Sequence, residues 1–149
     1  MKIALKYGLP VTVVFAVWII VVRLIIGAGP DSKASMLGGI VYNVVAICAI
    51  FLGIIRRKAE AGGQLSFKDG VKTGVGIACV YAIGTCLFFF IEFLVAGPKL
   101  LLADAGPTNR PLWQIAAMMY AGLFIGSLIF GLIYSTLISF FLAKRRSEG

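Results

Sequence analysis

Two ionisable side chains interrupt otherwise apolar runs of this chain, and a third polar group lies deep within another. Arg23 falls near the end of the first apolar run, Glu92 near the end of the third, and Asn43 inside the second. A charge in hydrocarbon is costly, so each such residue is by default a candidate for function. At 1.5 Å per helical residue, Arg23 lies about 24 Å past Tyr7 and Glu92 about 28 Å past Thr73. Opposite charges therefore reach similar depth near the same interface, and the sequence predicts that they face each other or share a polar outer rim. Such a rim could hold a lipid head group or a small polar ligand. The plainer reading is that Arg23 snorkels outward and Glu92 reaches interfacial water. Asn43 lies about 13 Å into its span. It suits an interhelical hydrogen bond worth about 0.6 kcal/mol, with a transport pathway through Arg23, Asn43 and Glu92 as the sharper alternative. Hydroxyls such as Thr12, Ser127, Ser135 and Ser139 are short enough to bond their own helix carbonyls.

Catalytic constellations are missing. The chain has no His. Its carboxylates, Asp31, Glu60, Asp69, Glu92, Asp104 and Glu148, are scattered. No phosphate loop, nucleophile elbow or metalloprotease signature occurs. Cys48, Cys79 and Cys86 all lie in apolar runs and form no C-x-x-C pair, so they read as small buried hydrophobes and not as a metal site. No enzyme activity, metal or cofactor is expected.

The elements that carry these residues follow from composition. The chain is 149 residues long with 60% hydrophobic and 13% charged residues, and its mean hydropathy is +1.01. Counting Gly and leaving out Tyr, roughly 68% of residues are apolar, against about 45–50% in soluble domains. A water-soluble fold of this size has too little interior to hide that surface. Crossing about 30 Å of hydrocarbon takes about 20 apolar helical residues, and the sequence predicts four such spans, at 7–28, 34–55, 73–96 and 115–142. The first reads as a retained span and not a cleaved leader, since its apolar stretch exceeds the 7–15 residues of a signal core. The fold class is thus all-α, a single membrane domain built as a four-helix antiparallel bundle. Ser66-Phe67-Lys68-Asp69 looks like a capping-box start to the third helix, and Gly62-Gly63 marks the turn before it. Ser32 or Ser35 could cap the second helix, and residues 99–104 could form a short interfacial helix.

Net charge is +8. The basic residues lie between the spans, which points to topology and anionic lipid and not to nucleic acid. One side carries ten Lys and Arg, at positions 2, 6, 56, 57, 58, 68, 72, 144, 145 and 146; the other carries Arg23, Lys33, Lys99 and Arg110. The positive-inside rule then places both termini in the cytoplasm. Arg56, Arg57, Lys58, Lys144, Arg145 and Arg146 are candidate contacts for lipid head groups.

Helices in lipid pack through small residues that allow close approach. The third span carries Gly70, Gly74, Ala78, Ala82 and Cys86 at intervals of four. The fourth carries Ser127, Gly131, Ser135 and Ser139 at the same interval, with Gly122 and Gly126 as a separate G-x-x-x-G. Such a motif serves either self-association or packing inside the bundle, and the short loops favour the second.

Three segments carry a resemblance: the start Ala4-Leu5-Lys6-Tyr7-Gly8, the stretch from Gly63 through Ser66-Phe67 to Gly74, and the closing Gly-rich span with its basic tail. On these the chain resembles the bacterial membrane proteins of domain-of-unknown-function family 4199. The resemblance implies a multi-pass protein of the bacterial inner membrane and supplies no catalytic residue. With small size, short loops and absent chemistry, the sequence points to an accessory or scaffold subunit of a membrane assembly, or a homo-oligomer, whose partners are lipid and another membrane protein or itself. A small oligomeric transporter or lipid-handling protein is the alternative.

Overall fold

A computed structural model describes residues 2–25, 33–99, 102 and 109–143. Among these residues the chain is four long helices without a strand. The first, α1, spans Lys2–Ile20 and continues into a π-helical turn, Val21–Ile25. The others are α2, Lys33–Glu60, α3, Phe67–Ala96, and α4, Leu112–Leu142. All four are long and apolar enough to cross a membrane. Their outward faces fit that solvent: Val95 is 83% exposed and Phe141 80%, side chains that water would expel and acyl chains accept.

The helices outrun the expected spans where polar residues extend them. At one end, α1 begins at Lys2 and α2 runs on through Arg56 to Glu60. The α2–α3 turn is built as the sequence suggests. Gly62 and Gly63 have φ of 70° and 84°, a left-handed backbone that glycine enters without penalty. Their amides close the helix end on Ala59 and Lys58 carbonyls at 3.2 and 2.9 Å, the bond pattern of a Schellman cap. Ser66 then caps α3, accepting from the Asp69 amide at 3.1 Å and donating to the Asp69 carboxylate at 2.8 Å. The fourth helix starts three residues before the expected Ile115, with Pro111 at its N-cap in extended conformation. Trp113, at the second position of α4, is largely exposed, as an outer aromatic anchor would be. The second-helix cap at Ser32 or Ser35, most of the interfacial segment 99–104, and the basic tail Lys144, Arg145 and Arg146 lie outside the described residues or side chains.

Helices consecutive in sequence run antiparallel. The start of α1, the end of α2 and the start of α3 share one end, where they line a common cleft, and the Lys58 ammonium donates to the Leu142 carbonyl at the close of α4 at 2.9 Å. The cross-section is a rhombus. Helices α2 and α3 touch each other and both neighbours, while α1 and α4 occupy opposite corners. One consequence is a parallel contact between α1 and α3 that a simple ring of four would lack.

Small residues set these contacts. The two small-residue stripes interleave as an antiparallel ladder: Gly70 lies against Ser139, Gly74 against Ser135, Ala78 against Gly131, and Tyr81 against Ser127. A methyl group at Gly74 would come within 2.6 Å of the Ser135 Cβ, and one at Gly70 within 2.9 Å of the Ser139 Cβ. The same device joins α1 to α3, where Gly8 faces Val80 and Gly84 faces Thr12. The buried centre contains Val11, Ile50, Ile54, Ile77, Ala78 and Tyr81. Gly122 and Gly126 differ. Among the described residues a Cβ at either position meets nothing within 4 Å, so there the G-x-x-x-G makes none of the packing contacts that the short loops favour. The ladder with α3 uses the face of α4 that carries Ser127, Gly131 and Ser135, and Gly122 lies off that line.

Candidate functional site

The end of the bundle where α1 and α3 finish brings Arg23 and Glu92 together. Arg23 stands on the π-helical turn at the end of α1, a local widening often found at functional sites. Glu92 stands one turn from the end of α3. The Arg23 Nη1 donates to the Glu92 Oε1 at 2.8 Å, and each side chain is 16% exposed. Register explains how they meet. Where Gly8 faces Val80 and Thr12 faces Gly84, α1 and α3 are offset by 72 positions. That offset would set Arg23 level with Val95, about 4.5 Å beyond Glu92 along the axis. A helical Cα–Cβ bond tilts toward the N-terminus, so the long stem carries the guanidinium back to the carboxylate. The head is thereby turned to Glu92, and the two charges compensate each other in a largely buried contact.

Asn43 does not join this pair. The sequence groups it with Arg23 and Glu92, but its amide is used elsewhere. Its Nδ2 donates to the Gly39 carbonyl of its own helix at 2.7 Å, and its Oδ1 accepts from the Tyr134 hydroxyl at 2.7 Å. The reason is depth and partner: Asn43 lies well inside α2, alongside α4. Close by, the Tyr42 hydroxyl meets the Ser127 hydroxyl at 2.8 Å, and the Tyr81 hydroxyl donates to the Ser127 carbonyl at 3.2 Å. Tyr42 packs edge-on to Tyr81, ring centroids 5.6 Å apart, and against Phe15 at 4.8 Å, which in turn meets Phe89 at 6.0 Å. An aromatic and hydroxyl layer thus joins all four helices.

The hydroxyls divide in a way the sequence does not show. Ser135 bonds its own Gly131 carbonyl, as expected. Ser127 instead serves Tyr42. Thr12 and Ser139 have no hydrogen-bond partner among the described residues. Their oxygens point at the bare backbones of Gly84 and Gly70, along the line a Cβ would occupy. The absent glycine side chains leave room for these oxygens between the packed helices.

At the opposite end, the basic residues play separate parts. Arg56 pairs with Glu60 one turn on at 3.2 Å. Lys58 closes the end of α4. Arg57 lines the cleft between α1 and α3. No group of three or more metal-ligating side chains occurs among the described residues. Sequence reasoning expected an interhelical bond at Asn43 without naming Tyr134 as its partner, and it missed the Tyr42–Ser127 bond, because tyrosines in apolar helices read equally well as packing. It also missed the π-helical turn, for which Val21-Val22-Arg23-Leu24-Ile25 offers no signal.

The family described as "Protein of unknown function (DUF4199)" matches residues 6–102, which takes in most of α1, all of α2 and α3, and the Arg23–Glu92 pair. No curated protein and no solved structure matches the chain. With about two thirds of its length matched and four membrane-spanning helices in its fold, the chain is a multi-pass membrane protein of the DUF4199 family.

Proposed function

We propose that this protein is a non-enzymatic subunit of the bacterial inner membrane, with both termini in the cytoplasm, that works by docking laterally to another membrane helix, in the first instance α4 of a second copy. The observation that carries the reading is the unequal use of glycine. Gly8, Gly70, Gly74, Gly84 and Gly131 are all filled by neighbouring atoms within the chain, whereas among the described residues Gly122 and Gly126, a spaced pair on one helix, meet nothing within 4 Å, as does the single Gly39 of α2. Gly122 and Gly126, one turn apart, leave a shallow strip on α4 flanked by the exposed Ile125 and Ile129. A right-handed crossing of two such strips brings backbones close enough for dispersion to hold them without any hydrophobic drive.

Transport through the outer polar residues has less support. Arg23 and Glu92 are spent on each other, and both ends of the Asn43 amide are bonded. The positive-inside count supports the orientation.

The test is the oligomeric state of the full chain in mild detergent and in nanodiscs, with Gly122→Leu and Gly126→Leu beside the parent. Association that both substitutions abolish, while each variant keeps the parent's helicity and thermal stability, is the expected result. A monomer at every protein-to-lipid ratio, with no co-purifying partner, would sink the reading. A cysteine placed at Gln64, in a background where Cys48, Cys79 and Cys86 are replaced by Ala, should resist an impermeant reagent in intact cells. Labelling there would reverse the orientation.

A further inference from the structure

A cleft of about 660 Å³ opens at the end of the bundle where α1 begins, α2 ends and α3 begins. Its size falls within the roughly 300–1,000 Å³ of small-molecule sites. Three cations from three helices stand on its rim: Lys2 of α1, Arg57 of α2 and Lys72 of α3. Two carboxylates are there as well, but each is engaged within its own segment. Glu60 pairs with Arg56 at 3.2 Å, and Asp69 accepts from the Ser66 hydroxyl at 2.8 Å at the N-terminus of α3. Among the described residues, Lys2, Arg57 and Lys72 make no ion pair. With Glu60 balanced by Arg56 and Asp69 set against the three cations, the rim still presents net positive charge to a ligand.

Below the rim the cleft is apolar. Asp69, Lys72, Thr73, Gly76 and Val80 are its lining from α3, one helix face that descends about 16 Å from Asp69 to Val80. Ile3 and Ala4 form the facing wall. Missing side-chain volume at Gly76 is what keeps the gap open, since a Cβ there would meet only the Ala4 Cβ at 3.6 Å.

We infer that this cleft is a binding site for one anionic phospholipid of the adjoining leaflet. The head-group phosphate sits among Lys2, Arg57 and Lys72, with Thr73 available as a hydroxyl donor. An acyl chain lies along Ile3, Gly76 and Val80. A soluble anion would use the rim and have no need of the wall; a zwitterionic lipid would bring its own cation to a rim that is already positive. Both halves of the cleft are used only by a ligand with a negative head and an apolar tail. Whichever leaflet holds this end, the site is built to retain a lipid and not merely to lie on a charged surface.

The experiment is native mass spectrometry of the full chain in detergent, titrated separately with dioleoyl phosphatidylglycerol, dioleoyl phosphatidylcholine and inorganic phosphate. The first phosphatidylglycerol is expected to bind at least tenfold tighter than phosphatidylcholine, with millimolar phosphate failing to displace it. Each juxtamembrane cation is worth about fivefold in affinity, so K2Q/K72Q should weaken the first binding step by roughly 25-fold. The double variant K6Q/K68Q removes the same charge at the same end but outside the cleft, and should change it less than threefold. G76L fills the wall without altering charge and should also remove the tight step, even if the cation variants prove hard to purify. Equal weakening by K6Q/K68Q, equal affinity for phosphatidylcholine, displacement by phosphate, or an unaffected G76L would each overturn the assignment.

Discussion

Breaking the Arg23–Glu92 pair is the most direct probe of the site they form, and its size can be worked from the geometry. Unit charges 2.8 Å apart attract by about 6 kcal/mol at an effective dielectric constant of 20. Removing most of the water from two ions costs several kcal/mol per ion, so the net value is far below that gross figure. Fully exposed pairs are worth at most about 1 kcal/mol, and breaking a fully buried pair costs about 3–5 kcal/mol. With each side chain 16% exposed, the pair belongs between these limits. Glu92→Gln is expected to cost about 2 kcal/mol, roughly a 30-fold change in the folding equilibrium. Part of the strain is relieved because Arg23 has the reach to turn outward once its partner is gone. The double variant Arg23→Gln/Glu92→Gln should then cost about as much as either single one, a coupling of about 2 kcal/mol. The exchange Arg23→Glu/Glu92→Arg should recover part of the loss. Reversible unfolding in mixed micelles, followed through Trp18 and Trp113 fluorescence, measures all four. The cycle is needed because each residue also makes other contacts, which single substitutions would count as if they belonged to the pair. Additivity of the two single effects to within 0.5 kcal/mol would show that the ions stabilise the fold independently, and the reasoning from depth and distance would fail.

Two further substitutions separate filled from open positions inside the bundle. Gly74→Ala should destabilise by about 1–3 kcal/mol, as overpacking does, because the new methyl meets the Ser135 Cβ on the facing backbone; Gly122→Ala should leave unfolding unchanged or improve it, and the same micelle titration distinguishes them. Tyr134→Phe should lose about 0.6 kcal/mol, the usual worth of a hydrogen bond between helices in lipid; Asn43→Leu should lose more, because it also removes the bond to the Gly39 carbonyl, and the pair together should lose no more than Asn43→Leu alone, since the Tyr134–Asn43 bond is absent from all three.

How much of this could be read beforehand follows from what lipid does to hydrophobic pattern. In water, the buried face of a helix announces itself by being apolar. Here Ile77 at the centre and Phe141 on the outside are both apolar, because acyl chains and protein interior are alike as solvents, and no periodicity of hydropathy sorts one face from the other. Span number and length survive this loss, since they depend on total apolar length alone. The stripes of Gly70, Gly74 and Ala78 and of Ser127, Gly131 and Ser135 survive as well, since residue size carries information that hydropathy does not. Size by itself stops short of assigning partners. Gly122 and Gly126 look the same in sequence as Gly70 and Gly74, yet only the latter have a serine opposite, and nothing short of the α3–α4 register decides between them. Depth arithmetic brought Arg23 and Glu92 to one level and placed Asn43 deeper; it was silent on azimuth, and azimuth is what gives Asn43 to Tyr134. The inner cleft was the least legible feature of all. Lys2, Arg57 and Lys72 are separated by 55 and 15 positions, and each reads as one more cytoplasmic charge. They become a site only because α1 packs in parallel on α3, which opens a gap beside Gly76 and gathers three helix ends around it. The residues with unused capacity are therefore those whose neighbours the fold leaves open. They lie on opposite kinds of surface, a small-residue strip facing acyl chains and a cationic rim facing head groups, so a partner helix and a lipid can be held at once without competing for the same atoms.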